Sequence, residues 1–130
     1  MDLNPSLDLS VVVPVHNERD NVAPLVREIE AALAPLALAF EIVYVDDHSR
    51  DDTLAQLRAL KAAHPRLRVL HHRTQSGQST ALRTGIKAAR GRWIATLDGD
   101  GQNDPADIPK LLAARDAGSP KIKLYAGWRV

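Results

Sequence analysis

Short runs of apolar and β-branched residues alternate along the chain with longer stretches in which apolar residues recur at helical spacing. The runs begin near Leu9, Phe40, Leu67, Trp93 and Lys121, at intervals of 31, 27, 26 and 28 residues. A strand followed by a helix at nearly constant spacing is typical of a βα repeat. The pattern therefore predicts an α/β fold, with a mostly parallel sheet of about five strands and helices on both faces.

The first two runs predict strands that are buried on both sides. Leu9 to Val13 and Glu41 to Val45 are almost continuously apolar. A strand with one solvent-exposed face would instead alternate polar and apolar residues. A further strand is expected over Trp93 to Leu97.

Helices are predicted between these strands. The first has Pro24 in its first turn and an apolar stripe at i, i+3, i+4 and i+7. That stripe consists of Val22, Leu25, Val26, Ile29 and Leu33. The second helix is expected to begin near Asp51 and Asp52 and to end by His64, because Pro65 follows.

Two more helices follow. The third is predicted from an apolar stripe of Leu82, Ile86 and Ala89. Gly91 is expected to be the left-handed residue that ends it, while Ala81 and Gly85 permit close packing on the sheet. The fourth is expected over Ile108 to Ala117, with Asp107 as its cap.

Length and charge limit the classes of function. The 130 residues contain no repeat, low-complexity tract or linker, so residues 1–130 are interpreted as one unit. Because the fifth predicted strand runs almost to Val130, we expect this unit to be the N-terminal part of a larger domain. The net charge of +1, from 17 basic and 16 acidic residues, gives no field that would recruit nucleic acid.

The residue types exclude further chemistry. The chain has no cysteine, so any metal needs oxygen or imidazole ligands, and disulfides and cysteine nucleophiles are excluded.

The first nine residues lack a cationic stretch followed by an apolar run. No segment approaches the roughly 18 apolar residues of a membrane span. We therefore expect the chain to be cytoplasmic.

The loops that follow the strands carry the candidate chemistry, because ligands of parallel α/β sheets bind outside the carboxyl ends of the strands. Acidic residues occur in three of these loops, at 14–18, 46–49 and 98–102. Carboxylates gathered on one rim repel one another. Their partner is therefore expected to be a cation or a set of hydrogen-bond donors.

Asp98 and Asp100 are candidate ligands of a hard cation. They lie at i and i+2 after an apolar strand, with Gly99 between them to let the backbone bend and approach a ligand, and with Gln102 as a neutral oxygen donor. Mg²⁺ or Mn²⁺ suits such ligands and leaves positions for substrate phosphates. A tight turn without a ligand favours the same residues, so this segment alone supports both interpretations equally.

Other loop residues have two interpretations each. Asp46 and Asp47 can accept hydrogen bonds from a base or ribose, with Asp47 favoured as base reader, or they can cap the second helix. Glu18 faces a nucleotide, the positive end of the first helix, or both. Arg83 either reaches phosphates or is a solvated surface residue. The loop histidines match no zinc spacing and are interpreted as non-ligands: His16, His48, His71 and His72.

Four motifs occur in order at residues 10–19 (SVVVPVHNER), 41–50 (EIVYVDDHSR), 76–87 (SGQSTALRTGIK) and 93–106 (WIATLDGDGQNDPA). Together they resemble the N-terminal part of family 2 glycosyltransferases with the GT-A fold, particularly the dolichyl- and undecaprenyl-phosphate sugar transferases. The resemblance covers nearly the whole chain. It departs from the family pattern at His16, where tyrosine is common, and at His48, where a small residue is common.

The resemblance implies a Rossmann-like nucleotide-sugar-binding fold. It also implies metal-dependent, inverting transfer of a sugar from GDP-mannose or a UDP-sugar to a polyprenyl phosphate. Metal binding and catalysis are placed at Asp98 and Asp100, with Gln102 as a third metal ligand. Nucleotide-sugar contacts are placed at Pro14, His16, Glu18, Asp46, Asp47, Gly77, Arg83, Asp98, Gly99 and Asp100.

By the same resemblance the acceptor-binding part lies beyond Val130. The chain alone is therefore expected to be inactive, and its unfinished sheet edge is expected to favour self-association. The full-length protein is expected at the cytoplasmic face of a membrane.

Three alternatives stay open. The first is a glycosyltransferase with a hydroxyl acceptor. A Mg²⁺-dependent phosphohydrolase would explain Asp98-Gly99-Asp100-Gly101, although its motif would follow the first strand. A non-catalytic nucleotide-binding module is the third. A dinucleotide-binding oxidoreductase is disfavoured, because no G-x-G-x-x-G follows the first strand.

Overall fold

The computed structural model describes residues 7–100, 104–117 and 124–126. Its strands are β1 (Leu7–Val15), β2 (Phe40–Asp46), β3 (Leu67–His71), β4 (Gly91–Thr96) and β5 (Leu124–Ala126). Its helices are α1 (Arg19–Leu33), α2 (Thr53–Lys61), α3 (Gln78–Ala88) and α4 (Asp107–Ala117), and a short 3-10 turn at Ala34–Leu36 follows α1. No helix within the described ranges has both the length and the apolar character needed to cross a membrane.

The strands form one parallel sheet in the order β3-β2-β1-β4-β5. Strands β1 to β3 extend the sheet in one direction, and β4 and β5 are then added on the other side of β1. The direction of winding therefore reverses between β1 and β4, which is where open α/β sheets form a ligand crevice outside the carboxyl ends of their strands. The predicted parallel sheet is confirmed.

Both faces of the sheet are covered, as the sequence predicted. Alternate side chains of a strand point to opposite faces. Val11 and Val13 of β1 accordingly belong to the core that α1, α2 and α4 cover, whereas Val12 packs with Ala81 of α3 on the other face. Burying one such aliphatic side chain contributes about 1.5–3 kcal/mol. The continuous apolar runs thus reflect a sheet that is packed on two sides.

The prediction that Gly91 ends α3 in a left-handed conformation is wrong. Ala89 is the C-terminal cap of α3 and is extended, and Gly91 begins β4, where it pairs with Leu7. A β-carbon at position 91 would lie 2.5 Å from the backbone nitrogen of Ser10. Glycine is required here because two strands approach closely, and this contact joins residues far apart in the sequence.

Three helix details also differ from the sequence predictions. Helix α1 begins at Arg19, so Pro24 lies in its second turn rather than its first. Asp107 is the first residue of α4 instead of its cap. The most buried positions of α3 are Ala81 and Gly85, not the stripe of Leu82, Ile86 and Ala89. A β-carbon at Gly85 would collide with Val12, because small residues let the helix lie directly on the sheet.

A buried polar cluster joins the strands near their amino ends. The Glu41 side chain accepts hydrogen bonds from Ser10 Oγ at 2.6 Å, from the Arg90 N–H at 2.6 Å and from Arg68 Nη1 at 2.8 Å. The Gly91 N–H donates to Ser10 Oγ at 2.8 Å. Burial by itself would raise the pKa of Glu41, but the bonds from Ser10, Arg90 and Arg68 outweigh it and hold the pKa below its ordinary value.

Removing the Tyr44 hydroxyl is expected to stabilise the folded chain. Tyr44 is fully buried, and its hydroxyl has no hydrogen-bond partner among the described residues. An unsatisfied buried hydroxyl costs free energy, so Tyr44→Phe is expected to raise the free energy of unfolding by about 1 kcal/mol. Tyr44→Leu is the control, since it also removes the ring and should destabilise. Chemical denaturation measures the free energy of unfolding of both variants. A clear loss of stability in Tyr44→Phe would show that the hydroxyl does make a stabilising hydrogen bond.

Candidate functional site

An open cleft of ≈ 350 Å³ lies at the carboxyl ends of β1, β2 and β4, beside the N-terminus of α3. Its volume falls within the range of roughly 300–1,000 Å³ that is usual for small-molecule sites. Of the predicted site residues that the structure describes, all except Asp46 and Arg83 line it. The described residues that line it are Pro14, Val15, His16, Glu18, Asp47, Gln75, Gly77, Gln78, Ala81, Asp98, Gly99 and Asp100.

The segment from Asp98 to Asp100 forms one wall of the cleft. The preceding residue, Leu97, donates its N–H to the Val12 carbonyl at 3.1 Å, which extends the pairing of β4 with β1. Gly99 is buried, and a β-carbon there would collide with Val15. Close packing on the end of β1 is thus one reason for this glycine. The two flanking aspartates stay partly exposed at the rim.

Asp47 lies on the opposite side of β1 and is 3% exposed. Its Oδ1 accepts hydrogen bonds from the Ser76 N–H and from His72 Nδ1, and its Oδ2 accepts one from the Gly77 N–H, all at 2.8 Å. Burial alone would raise the pKa of Asp47, but the bonds from His72, Ser76 and Gly77 hold it below its ordinary value. Asp47 is therefore an anion that anchors the loop before α3, and it also lines the cleft.

Asp46 is turned away from the cleft. Its carboxylate accepts hydrogen bonds from the N–H and the hydroxyl of Ser49, and its Oδ2 lies 4.0 Å from His71 Nε2. These contacts close the turn after β2. Asp46 therefore stabilises the turn after β2, whereas the neighbouring Asp47 lines the cleft.

His16 and Glu18 reach the cleft from the loop after β1. His16 Nδ1 donates to the Asp47 carbonyl at 2.8 Å, because a carbonyl oxygen can only accept. Glu18 is the N-terminal cap residue of α1, and its Oε2 accepts a hydrogen bond from Asn21 Nδ2 at 2.7 Å. Glu18 therefore lies both in the cleft and at the helix N-terminus. Its N–H donates to Thr53 Oγ1 at 2.9 Å, which ties this loop to α2.

Gln75 and Gln78 also line the cleft, although neither was predicted to be a site residue. Gln78 directly follows Gly77, and Gln75 lies two residues before it. Gly77 has a φ of +99°, a conformation that residues with side chains rarely adopt. Gln78 Nε2 donates to Asp98 Oδ1 at 3.0 Å, so the N-terminus of α3 touches the opposite wall. Their proximity to Gly77, the N-terminal cap residue of α3, was the available signal.

Arg83 lies on the exposed face of α3 and does not line the cleft. Gln102 lies outside the described residues. Within the described part of the chain, no group of three or more histidine, aspartate and glutamate side chains is arranged to hold a metal ion. Asp98 and Asp100 can therefore supply at most a pair of carboxylates there.

Sequence comparison relates the chain to sugar transferases. The profile described as "Glycosyl transferase family 2" matches residues 10–124. Dodecaprenyl-phosphate galacturonate synthase of Rhizobium johnstonii is 42% identical over 125 residues, which is 95% of this chain and 36% of that protein. Undecaprenyl-phosphate 4-deoxy-4-formamido-L-arabinose transferase of Pseudomonas savastanoi pv. phaseolicola is 42% identical over 112 residues, 85% of this chain and 33% of that protein. The chain thus spans about a third of the length of these relatives.

Solved structures share the architecture. S. aureus TarS 1-349 in complex with UDP-GlcNAc matches with a TM-score of 0.66 and 28% identity, over 83% of this chain and 30% of that one. The mannosyltransferase PcManGT from Pyrobaculum calidifontis, in complex with GDP-Man and Mn²⁺, matches with a TM-score of 0.72 and 24% identity, over 92% and 37%. The predicted GT-A-like α/β fold is confirmed.

Proposed function

This chain belongs to glycosyl transferase family 2, and we propose that it forms the nucleotide-sugar-binding part of an enzyme that transfers a sugar to a polyprenyl phosphate. The names of the two relatives described above support this acceptor, since both are polyprenyl-phosphate enzymes. The donor is a nucleoside diphosphate sugar, the type of ligand bound in the TarS and PcManGT structures.

The observation that carries the proposal is the arrangement of the cleft around the end of β1. Asp47 follows β2 and Asp98 follows β4, and these strands lie on opposite sides of β1. A ligand that contacts both walls must therefore cross the loop from Pro14 to Glu18. An elongated ligand with a base at one end and a diphosphate at the other fits this path. We place the base near Asp47 and the diphosphate near Asp98 and Asp100.

A divalent cation would make this placement electrostatically possible. Two carboxylates beside a diphosphate would repel it. Asp98 and Asp100 offer the hard oxygen ligands that Mg²⁺ and Mn²⁺ prefer, and Mg²⁺ is commonly held by one or two carboxylates together with substrate phosphates. A pair of protein ligands is therefore compatible with such an ion, and we propose Gln102 as a third. When bound, the ion would neutralise charge on the leaving diphosphate.

In the proposed reaction an oxygen of the carrier phosphate forms a bond to the anomeric carbon. The bond from that carbon to the diphosphate breaks, and its electron pair leaves with the diphosphate. Attack on the face opposite the leaving group inverts the configuration. The phosphate nucleophile is already anionic, so the site needs no general base. Its contribution is to orient the donor and stabilise charge.

Calorimetric titration of the chain with UDP, GDP and ADP, each with and without Mn²⁺, tests the donor site. We expect either UDP or GDP to bind, only in the presence of the metal, and ADP to serve as the unmatched control. Equal binding without metal would contradict the proposed role of Asp98 and Asp100. Hydrolysis of a generic phosphate ester without nucleotide binding would instead favour a phosphohydrolase.

We also propose that acceptor binding needs the part of such enzymes that this chain does not match. The chain covers 36% of the galacturonate synthase and 33% of the arabinose transferase. The chain alone is then expected to bind donor without transferring it to a polyprenyl phosphate. Sugar transfer by these 130 residues would contradict this.

A further inference from the structure

His72 bridges two elements behind the cleft wall without lining the cleft itself. Its side chain is 15% exposed. Nδ1 lies 2.8 Å from Asp47 Oδ1 and Nε2 lies 2.8 Å from Thr84 Oγ1 on α3. Because an ionised carboxylate only accepts hydrogen bonds, Nδ1 is the donor to Asp47. The backbone N–H of His72 donates to the Asp46 carbonyl at 2.9 Å, so both the backbone and the ring of His72 are fixed.

The position of the Asp47 carboxylate determines the shape of the loop before α3. Ser76 and Gly77 donate their N–H groups to its two oxygens. These residues are exposed, so the bonds to Asp47 are specific anchors for a segment with little packing of its own. The loop presents Gln75 and Gln78 to the cleft, and Gln78 reaches Asp98. A rotation of the Asp47 carboxylate would therefore disturb both walls of the cleft.

We propose that His72 is a positioning residue for the donor site. Its Nδ1–H holds the Asp47 carboxylate in the orientation that binds the Ser76 and Gly77 N–H groups, and its Nε2 is braced by Thr84. His72 thereby sets the cleft wall without touching the ligand. The inference rests on the proposed function in so far as the ligand is a nucleotide; the positioning of the loop is independent of it.

Matched variants separate donation by Nδ1 from simple packing. His72→Asn places an N–H donor near the position of Nδ1, whereas His72→Leu fills space without donating. Thr84→Val removes the hydroxyl beside Nε2, together with its hydrogen bond to the Thr80 carbonyl, and leaves the contact of Nδ1 with Asp47 in place. The rates of amide hydrogen exchange at Ser76 and Gly77, measured by NMR in the ligand-free chain, report on how firmly the loop is held. UDP and GDP titrations in Mn²⁺ report on the cleft, and the amides of β1 report on global folding.

In His72→Leu we expect exchange at Ser76 and Gly77 to accelerate by about tenfold or more and nucleotide affinity to fall by about tenfold, the scale of one hydrogen bond to a charged group. His72→Asn should restore most of both, and Thr84→Val should show a smaller loss. Wild-type exchange and affinity in His72→Leu, or an equal defect in His72→Asn, would overturn the proposal. If the wild-type chain binds no nucleotide, the proposed function fails, and the exchange pattern alone still decides the positioning role.

Discussion

Replacing Asp100 with alanine is expected to abolish the metal-dependent binding of nucleotide to this chain. Asp98 and Asp100 are the carboxylates at the rim where we place the diphosphate and the proposed ion, so removal of one would leave the ion only one carboxylate of this pair. Loss of an outer-shell partner alone weakens metal binding by about 10–100-fold, so loss of a direct ligand should weaken nucleotide binding by more than about 100-fold in Mn²⁺. Calorimetric titration measures this directly.

Asp107→Ala is the matched control for Asp100→Ala. Asp107 is half exposed, lies in the first turn of α4, and is paired only weakly with Lys110 at 3.5 Å. It does not line the cleft. Both variants should unfold at nearly the wild-type temperature, while only Asp100→Ala should lose nucleotide. Wild-type affinity in folded Asp100→Ala would show that Asp98-Gly99-Asp100 is a turn without a ligand.

The parallel sheet and the position of the cleft were both predictable from the sequence. A run such as Leu9 to Val13 has no polar side to expose, which implies a sheet covered on both faces. Parallel strands joined by helices all end at one edge, so residues following different strands meet there. The cleft at Pro14, Asp47 and Asp98 follows from that rule, although each segment alone is ambiguous.

Features that depend on contacts between distant residues could not be predicted. Gly91 has the local context of a helix terminator, but its close approach to Ser10 determines its role. The sequence favours Asp47 over the adjacent Asp46 as a cleft residue, but it does not predict the hydrogen bonds that hold the Asp47 carboxylate in place. Its partners His72, Ser76 and Gly77 lie 25, 29 and 30 residues away along the chain. No local pattern assigns hydrogen bonds over such separations.

The Glu41 cluster lies near the amino ends of the strands, away from the cleft. Like Asp47 at the other end of the sheet, Glu41 is a buried carboxylate that accepts hydrogen bonds from residues far away in the sequence. Its carboxylate joins Ser10 of β1, Arg68 of β3 and the N–H of Arg90 before β4. Arg68 also donates to the Ala88 carbonyl at the end of α3. A single buried carboxylate thus accepts hydrogen bonds from several elements of the sheet. These bonds help to fix the register of the strands, and the register determines where the strands end at the cleft.

Glu41→Gln is expected to lower the free energy of unfolding by about 3 kcal/mol at neutral pH. The substitution keeps the shape of the side chain but removes the charge opposite Arg68, and breaking a buried ion pair by changing one partner typically costs about 3–5 kcal/mol. A loss of this size is a large part of the roughly 5–15 kcal/mol that stabilises a domain. Urea denaturation measures it. Glu28→Gln, the same change at an exposed site on α1, is the control and should differ little from wild type.

The difference between wild type and Glu41→Gln should itself depend on pH, in a direction that the pKa of Glu41 sets. That pKa is lowered from its ordinary value of 4.5 in the folded state, so the unfolded chain binds a proton at Glu41 more readily than the folded one does. The stabilisation by this carboxylate is then fully present above pH 4.5 and is lost as the pH falls through the lower folded-state pKa. Urea titrations at a series of pH values should therefore show the two proteins converging in stability on the acid side. A difference that stays constant down to the acid limit would mean that the cluster acts through packing and not through the charge on Glu41.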